Sequence, residues 1–358
     1  MNIIVTEDIE YITRQFEGRD MLMGSSFLIT GCAGFLGFMF LHFLAASADK
    51  LGIKKIICLD NFILGRPDWI DNLVKEYDTI KLHAFDIIND NLEDLKDSFE
   101  IDYVLHMASI ASPTFYREYP IETLDANVGG LRRLLDYYRE SDLKGFLFFS
   151  SSEVYGDPDP AAIPIKEDYR GNVPVIGPRA CYDEAKRFGE TLCFLYAQEY
   201  GLPTRIVRPF NNYGPGMRLD DRRAPADFAR DIIRNTDIVL YSDGSPTRTF
   251  CYVADAIVGY LKVLTYQRFD FFNIGTENPE ISIRQLAEIF VEAGRKVMGY
   301  GGGIRMEKPE SDDYLRDNPS RRCPSIEKAR RVLGYSPQIG VREGIERYLK
   351  FIAREETL

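Results

Sequence analysis

Short apolar runs alternate with longer amphipathic stretches from Ser26 onward, and this alternation limits the possible folds more than any other feature of the chain. Helical spacing of apolar residues is clearest at 121–139 and 183–200. The pattern predicts an α/β protein whose parallel sheet is wrapped by helices on both faces. Six candidate strands are rich in apolar, β-branched or aromatic residues: 27–30, 55–60, 80–85, 103–108, 146–150 and 204–208.

The charge balance excludes one class of partner. Lys and Arg number 44 against 55 Asp and Glu, which gives a net charge of −11. A surface that binds nucleic acid needs a clustered excess of cations, so we expect no nucleic-acid partner. The longest strongly apolar stretch, 35–46, contains His42 and is too short to span a bilayer. We therefore expect no membrane partner either.

The first 24 residues are predicted to be an N-terminal extension of a cytoplasmic protein. They carry five acidic residues and lack the basic start and apolar centre of a secretory signal. The six cysteines are scattered and form no CxxC pair, which favours packed, reduced thiols. The three histidines are isolated in apolar contexts. No metal site is expected from such a set.

A glycine-rich segment, Gly31-Cys-Ala-Gly34-Phe35-Leu36-Gly37, lies directly between the first candidate strand and an apolar helix. Glycines allow a tight turn and let the backbone approach a pyrophosphate, and the helix N-terminus supplies unpaired N–H groups. A loose glycine pattern is weak evidence alone, but its position between a strand and a helix strengthens it. The segment predicts a dinucleotide site in a doubly wound, Rossmann-type sheet.

Asp60 ends the second candidate strand, 23 residues beyond Gly37. A carboxylate there accepts hydrogen bonds from an adenosine ribose and repels a 2′-phosphate, which favours NAD over NADP. The nearby Arg66 is the one counter-argument, and the alternative for Asp60 is a turn residue at a strand end. The remaining predicted cofactor contacts follow the strand ends: Asn61, Asp86, Ile87 and Ala108.

Tyr182 and Lys186 are four residues apart and therefore share one face of a predicted helix. A lysine ammonium beside a phenol favours the phenolate, a base that takes a proton from a substrate hydroxyl as hydride leaves for a nicotinamide. The alternative is chance, because this spacing is common on helices. A serine-rich strand end at 150–156 lies upstream, where it can orient a hydroxyl group.

Together, these features resemble the extended short-chain dehydrogenase/reductases that act on nucleotide sugars, over residues 26–352. The segments at 108–116, 152–157, 176–184 and 321–324 are similar to those of UDP-glucuronic acid decarboxylases, also called UDP-xylose synthases. After Pro209 the sequence becomes rich in Gly, Pro and Asp. The expected parts are an extension at 1–24, an NAD-binding domain with the Tyr/Lys pair at 25–209, and a smaller, mixed α/β substrate-binding region at 210–358.

The resemblance implies oxidation at C4 of a hexose, and the relatives differ in the fate of the 4-keto sugar. A 4,6-dehydratase typically has an Asp-Glu pair at the serine-rich strand end, but here the pair is Ser152-Glu153. A 4-epimerase normally has no carboxylate at this point. We therefore expect decarboxylation of UDP-glucuronate to UDP-xylose with internal NAD recycling; the alternatives are a 4-epimerase, a 4,6-dehydratase, or a silent nucleotide-sugar-binding protein.

The same resemblance assigns catalytic roles. Tyr182 is the base for the C4 hydroxyl and Lys186 tunes it, while Ser151 contacts the sugar where the family has threonine. Glu153 matches the acid/base near C5. Arg322 matches an arginine near the enolate, and because a guanidinium is a poor proton donor, we expect it to balance charge and position a water. The alternative for Arg322 is a solvated basic face.

Several further side chains are expected to bind the substrate because they match family positions. Tyr116 and Arg179 would hold the glucuronate or a phosphate, although Arg179 has the alternative of pairing with Asp183 or Glu184. Arg248 would grip a phosphate with its guanidinium. The other expected substrate contacts are Ala111, Ser152, Asn211, Tyr241 and Tyr314, where capping a turn is the alternative for Asn211 and packing is the alternative for Tyr241.

Apolar stripes on the helices at 121–139 and 183–200 predict a homodimer, because they exceed what one sheet face absorbs. Relatives dimerise through a bundle of such helices. The alternative is that both stripes simply pack on the sheet. The stripes consist of Leu124, Val128, Leu131 and Leu135 on the first helix, and Phe188, Leu192 and Leu195 on the second.

Overall fold

The structure, a computed structural model, describes residues 1–96, 98–308 and 319–355. Its strands are β1 (Ser26–Thr30), β2 (Lys55–Asp60), β3 (Ile80–Ala84), β4 (Tyr103–His106), β5 (Gly145–Phe149), β6 (Thr204–Pro209), β7 (Asn212–Tyr213), β8 (Ile238–Leu240), β9 (Thr247–Arg248), β10 (Cys251–Tyr252), β11 (Phe271–Ile274), β12 (Ile281–Ser282), β13 (Ile304–Met306) and β14 (Arg321–Arg322). Its helices are α1 (Ile3–Gln15), α2 (Phe35–Ala46), α3 (Ala48–Leu51), α4 (Asp68–Glu76), α5 (Pro113–Glu118), α6 (Pro120–Asp125), α7 (Leu131–Tyr138), α8 (Ala180–Tyr200), α9 (Ala224–Ile233), α10 (Val253–Leu264), α11 (Ile283–Met298), α12 (Glu327–Leu333) and α13 (Val341–Glu355).

Seven parallel strands form the main sheet, in the order β11-β6-β5-β4-β1-β2-β3. The order reverses on either side of β1, which is the doubly wound arrangement that the sequence predicted. The expected strands are all present, with ends displaced by at most two residues. The fourth stops at His106 instead of residue 108, because Ala108 N donates to the Thr30 hydroxyl oxygen and not to a backbone carbonyl.

Alternate residues of the strands supply two separate cores. In β1, Phe27 and Ile29 face a core that also contains α2 and α10, whereas Leu28 faces the core built on α7 and α8. Period-two alternation between two apolar faces is what a parallel sheet covered on both sides requires. The strands therefore read as continuous apolar runs, and their carboxyl ends all point to one edge of the sheet.

The predicted helix at 121–139 is interrupted in the structure. A π-helical turn at Ala126–Gly130 joins α6 to α7. Within it, the buried Asn127 donates through Nδ2 to the Ser109 hydroxyl at 2.9 Å and to the Thr123 carbonyl oxygen at 2.7 Å. Such turns are frequent at functional sites. This turn fixes the chain just beyond β4, beside the carboxyl edge of the sheet.

Residues 210–308 and 319–355 pack against the sheet and add β11 to it. Their small sheets bring distant residues together. Strand β9 pairs in parallel with β14, which places Arg248 opposite Arg322, and pairs antiparallel with β12. Among the helices of the described segments, none combines the length and apolarity that a transmembrane span requires.

The predicted extension at the N-terminus contains a packed helix, α1. Ile4, Val5, Ile9 and Ile12 are buried in the core shared with α2 and α10. The carboxylate of Asp8 is also buried, and accepts hydrogen bonds from the Tyr252 hydroxyl and the Arg347 guanidinium, each at 2.7 Å. Burial raises the pKa of Asp8 to about 6, while Arg347 opposes the rise.

Replacing Asp8 with Ala should destabilise the protein by about 3 kcal/mol, because it leaves the partly buried Arg347 without its closest carboxylate. The measurement is chemical denaturation. Glu7→Ala is the control: Glu7 lies 3.6 Å from the same guanidinium but is exposed, so its loss should change the free energy of unfolding by less than about 1 kcal/mol. If the two substitutions lowered the free energy of unfolding equally, the idea that Asp8 attaches α1 to Tyr252 and Arg347 would be contradicted.

Candidate active site

A cavity of about 730 Å³ opens at the carboxyl edge of the sheet. Its wall includes Thr30, Asp60, Phe149 and Pro209, the last residues of β1, β2, β5 and β6. Each residue that the sequence predicted as a cofactor, catalytic or substrate contact lines this cavity if the structure describes it. Tyr314 lies outside the described residues. Ligands of open parallel sheets bind at this edge, where the strand order reverses.

The glycine loop forms the floor of the cavity under the strand ends. Gly31 has a left-handed φ of 69°, and a Cβ on it would lie 2.6 Å from the backbone nitrogen of Ala108. A Cβ on Gly37 would lie 2.1 Å from the carbonyl oxygen of Cys32. Helix α2 then begins at Phe35 after Gly34, with no side chain of the described residues bonded to its first N–H groups. These groups remain available to a pyrophosphate.

Asp60 holds two backbone N–H groups at the end of β2. Its Oδ2 accepts from Ala33 N and its Oδ1 from Phe62 N, both at 2.9 Å, so it fixes the glycine loop. Burial raises its pKa, and these two bonds oppose the rise. Each carboxylate oxygen still has a lone pair for a ribose hydroxyl. Arg66 donates hydrogen bonds to the Asp71 carboxylate through Nε and Nη2. Because Arg66 is paired in this way, the argument that it binds the 2′-phosphate of NADP is weaker. The loop and Asp60 together fit NAD.

Tyr182 and Lys186 lie in the first two turns of α8, both buried. Lys186 Nζ donates to the Phe149 carbonyl oxygen at 2.7 Å, and burial lowers its pKa to about 7. The pKa of Tyr182 is raised to about 12, because burial outweighs a hydrogen bond from Ser151 that lowers it. The sequence predicted that Lys186 favours the phenolate, but in the structure burial has the larger effect.

Tyr116 packs its ring on the ring of Tyr182, with centroids 5.2 Å apart and planes 13° from parallel. The guanidinium of Arg179 lies over the Tyr116 ring, 5.8 Å from its centroid. The Tyr116 hydroxyl is buried and has no hydrogen-bond partner in the part of the chain that the structure describes. A buried phenol at a cavity wall without a partner is suited to bind a polar ligand group.

Glu153 is held between two arginines. Both Nη atoms of Arg322 donate to its carboxylate, Nη2 at 2.8 Å, and Arg179 donates from the other side. Burial would raise the pKa of Glu153, but the two guanidinium groups outweigh burial and lower the pKa to about 2. Arg322 is buried, so the alternative of a solvated basic face is wrong for it. Its neighbour Arg321 lies at the surface and pairs with Glu280.

Arg179 also faces a second carboxylate. Its Nε lies 3.6 Å from Asp183 Oδ2, one of the two alternative pairings considered from the sequence. The other alternative is wrong, because Glu184 pairs with Arg187. Arg179 therefore bridges Asp183 and Glu153. Arg179, Arg322 and Glu153 therefore lie together on one wall of the cavity, and Asp183 lies behind Arg179.

The nucleotide-diphosphate end of the cavity was predicted to contain Arg248, Asn211 and Tyr241, and all three line its wall. Arg248 donates to the carbonyl oxygens of Pro319 and Ser320. Its pKa is lowered to about 9 by burial and then by the charge of Arg322. A buried guanidinium group that lies close to a second one favours an anionic ligand. Asn211 donates to the Thr249 carbonyl oxygen at 2.9 Å, as a turn residue would.

Sequence reasoning missed Arg223. It lines the cavity and pairs with Asp221, and its guanidinium lies over the Phe35 ring, 5.7 Å from the centroid. Its charge is among the influences that lower the pKa of Tyr182. The available signal was the cationic pair Arg222-Arg223 shortly after the Gly-Pro-Gly turn at 214–216.

Comparison with known proteins identifies the family. A sequence profile described as the NAD dependent epimerase/dehydratase family matches residues 27–275. The chain belongs to this family. The family is NAD dependent, and the glycine loop and Asp60 supply the matching site, so NAD is the cofactor.

Two curated members of the family are similar over most of the chain. UDP-glucuronic acid decarboxylase 1 of Xenopus tropicalis is 35% identical over 92% of this chain and 72% of its own length. UDP-glucuronic acid decarboxylase 6 of Arabidopsis thaliana is 37% identical over 89% of this chain and 86% of its own.

Solved structures of the family show the same fold. The epimerase Mth375 of Methanothermobacter thermautotrophicus is 27% identical with a TM-score of 0.81, over 96% of this chain and 97% of its own. UDP-glucuronic acid 4-epimerase of Bacillus cereus, solved with UDP-glucuronic acid and NAD, is 24% identical with a TM-score of 0.77, over 92% and 99%. No group of three or more His, Cys, Asp or Glu side chains within residues 1–96, 98–308 and 319–355 is placed to hold a metal.

Asp60→Asn should weaken NAD binding about tenfold and reduce the preference for NAD over NADP, because the substitution removes the charge that repels a 2′-phosphate. Calorimetric titration with each nucleotide measures both effects. Asp71→Asn is the control, since it breaks the pair with Arg66 and leaves Asp60 in place; its NAD affinity should stay within about twofold. An undiminished preference for NAD in Asp60→Asn would contradict the ribose contact.

Proposed function

We propose that this protein decarboxylates UDP-glucuronate to UDP-xylose through a 4-keto intermediate, with NAD recycled inside each turnover. The observation that carries the proposal is the Glu153 carboxylate, held by Arg179 and Arg322 on the cavity wall that also contains Tyr182. The names of the curated relatives, at 33–37% identity, support the same reaction.

The first step is oxidation at C4. When bound, NAD would supply reversible hydride transfer at C4 of the sugar, which makes the net reaction redox-neutral. Tyr182 takes the proton of the C4 hydroxyl and later gives it back. Ser151 lies within hydrogen-bonding range of the Tyr182 hydroxyl and lowers its pKa, so it assists the phenolate. Lys186 lies one turn further along α8, and its position is fixed because its Nζ donates a hydrogen bond to the Phe149 carbonyl oxygen.

The second step is loss of carbon dioxide. Oxidation at C4 makes the C6 carboxylate part of a β-keto acid, whose C5–C6 bond breaks with its electron pair delocalised onto the C4 oxygen. The resulting enolate needs a proton at C5. Glu153 is the acidic side chain on this wall that the resemblance assigns to C5, and the positive charge of Arg322 stabilises the enolate.

The charges of the cavity fit an anionic sugar nucleotide. Arg179, Arg248 and Arg322 are all buried in one wall and supply guanidinium groups for a diphosphate and a glucuronate. Glu153 and Asp183 already pair with Arg179 and Arg322, so the carboxylate of the glucuronate adds a negative charge to that cluster. Guanidinium groups bind phosphates and carboxylates in forked geometry. The uridine base is part of the proposal, and Tyr241 lies on the cavity wall where the base would stack or pack.

Glu153 also separates the proposal from the other reactions of the family. A 4-epimerase needs the 4-keto ring to turn over and needs no acid at C5. A 4,6-dehydratase needs an acid that expels the C6 hydroxyl, and the residue before Glu153 is a serine. A silent binding protein would not need the buried Tyr182 and Lys186 pair. Release of carbon dioxide distinguishes decarboxylation from all three.

The test incubates the purified protein with UDP-glucuronate and catalytic NAD, and follows carbon dioxide and the sugar product by NMR. We expect one carbon dioxide for each UDP-xylose. Tyr182→Phe should lower the rate by about 1000-fold or more, because it removes the base at C4. Tyr200→Phe is the matched control at the exposed end of the same helix, and should retain full activity.

Glu153→Gln separates the two steps. It should still oxidise C4, seen as reduced cofactor, but should form UDP-xylose at least about 100-fold more slowly, because the acid/base at C5 is gone. UDP-galacturonate formed without carbon dioxide would establish 4-epimerisation instead. Full carbon dioxide release by Tyr182→Phe would contradict the order of the steps.

We also propose a homodimer formed through α6, α7 and α8. Leu131, Leu135 and Leu192 are buried against the sheet, so the alternative that both stripes pack there holds for these three residues. Leu124, Phe188 and Leu195 of the same stripes are exposed, and so are Ile121 on α6 and Phe194 on α8. Exposed apolar residues grouped on neighbouring helices mark protein interfaces, and self-complementary helix faces suit a two-fold dimer.

The dimer is tested by light scattering at micromolar concentration. The parent protein should have twice the chain mass of 41.0 kDa, and Phe188→Glu with Leu195→Glu should halve it, because two charges per subunit would be buried in the interface. Val332→Glu, an exposed apolar residue on α12, is the control and should remain dimeric. A parent mass near 41.0 kDa would remove the dimer.

A cytoplasmic location belongs to the proposal as well. All six cysteines are unpaired thiols in the structure, as is usual in reducing compartments. The proposed partners are the UDP-sugar and a second copy of the chain. The net charge of −11 supports the expectation that nucleic acid is not among them.

A further inference from the structure

Asp183 is a buried carboxyl group without an assigned role. It follows Tyr182 in the first turn of α8 and is 3% exposed. Its Oδ2 faces Arg179 Nε at 3.6 Å, and its Oδ1 has no hydrogen-bond partner among the residues that the structure describes. Arg179 lines the cavity and Asp183 does not, so the carboxyl group lies behind the guanidinium. A carboxylate in such a place is incompletely compensated.

The charges around Asp183 balance only when the cavity holds no substrate carboxylate. Arg179 and Arg322 carry two positive charges, and Glu153 and Asp183 carry two negative charges when ionised. The C6 carboxylate of UDP-glucuronate adds a third negative charge to this buried cluster, while the diphosphate engages Arg248. An uncompensated charge in a buried site is costly, and protonation of one carboxylate removes it.

The groups that face Asp183 decide which carboxylate is protonated. Glu153 keeps the forked Arg322 and one Nη of Arg179, so it is the stronger acid. Burial, followed by the charge of Glu153, raises the pKa of Asp183 to about 7 despite Arg179 and Arg322. The remaining titratable or charged groups in its surroundings are Tyr116, Arg117, Cys181 and Tyr182. The pKa values of Tyr116, Cys181 and Tyr182 are all raised, so these three groups already carry their protons near neutral pH and do not take up another.

We propose that Asp183 takes up a proton when UDP-glucuronate binds and stores the proton that C5 later receives. The inference rests on the proposed function. Glu153 lines the cavity and shares Arg179 with Asp183. Asp183 acts through Glu153, and Asp183 is therefore a positioning residue for the proton. When the C5–C6 bond breaks, carbon dioxide leaves and C5 of the enolate gains a proton. Asp183 returns to its carboxylate. In the net reaction the carboxylate on C5 leaves as carbon dioxide and a C–H bond forms in its place. Each turnover therefore consumes one proton.

Calorimetry tests the uptake directly. The Tyr182→Phe protein, which binds but does not oxidise, is titrated with UDP-glucuronate and with UDP-xylose in two buffers of different ionisation enthalpy. Both nucleotides carry the same diphosphate, so the difference in protons bound reports the carboxylate. At pH 8 we expect a difference of about one proton, falling toward zero at pH 6, where Asp183 already carries its proton in the free protein. This pH dependence needs no substitution at Asp183.

Substitutions locate the proton. Asp183→Asn in the same background should remove the difference at pH 8, and Asp183→Glu should restore it. Glu184→Gln, which changes the adjacent exposed carboxyl that pairs with Arg187, should leave it intact. A purely structural role for Asp183 would leave proton uptake unchanged in Asp183→Asn, and that result overturns the proposal. Equal uptake with both nucleotides overturns it as well.

The inference and the proposed function fail in different ways. Carbon dioxide release by the unsubstituted protein without a proton difference between the two nucleotides overturns the role of Asp183 alone. Absence of carbon dioxide release overturns the proposed function and, with it, the destination of the stored proton.

Discussion

Glu153 and its two arginines hold together three segments that are far apart in the chain. The carboxylate lies just beyond β5, Arg179 precedes α8, and Arg322 belongs to β14 in the C-terminal region. Removing one partner from such a buried group costs roughly 3–5 kcal/mol, because the remaining charges lose their compensation. The interaction therefore attaches the substrate region to the sheet and also places charge beside the reacting carbons. Tyr116 and Tyr182 stack beneath the same guanidinium, so the position of the proposed base depends on it too.

Burial governs the pKa values of three further groups, Tyr182, Asp183 and Lys186. It raises the pKa of Tyr182 and of Asp183 and lowers that of Lys186, so each of these groups tends toward its neutral form. Glu153 is the exception, because two guanidinium groups outweigh its desolvation. The chemistry proposed for the site needs both behaviours. Proton transfer at C4 requires a phenol whose proton can leave and return, whereas the enolate requires fixed positive charge nearby.

Local patterns in the sequence predicted the sheet and the cofactor loop well, because each rests on neighbouring residues. Apolar runs predicted the strands, and the glycine spacing from Gly31 to Gly37 predicted the turn before α2. The Glu153 cluster could not be derived in this way, since its partners Arg179 and Arg322 are 26 and 169 residues away along the chain. Arg322 is positioned by the pairing of β14 with β9. Resemblance to a family pointed to the residues but not to their contacts. The packing of α1 was also missed, because its apolar face resembles that of any amphipathic helix.

The arrangement of charge in the cavity follows from what the proposed substrate would bring and what the reaction would remove. A glucuronate enters with a carboxylate and leaves without it, so a site with enough cations for the substrate would have too many for the product. Glu153 forms ion pairs with Arg179 and Arg322 and so compensates their charges directly, and its carboxylate would remain there after carbon dioxide has left. A fixed carboxylate cannot balance both states, because its charge does not change. A second carboxyl group that is easily protonated can, and Asp183 lies behind Arg179 where such a group is required. The proton that restores neutrality on binding is then the same proton that the carbon needs.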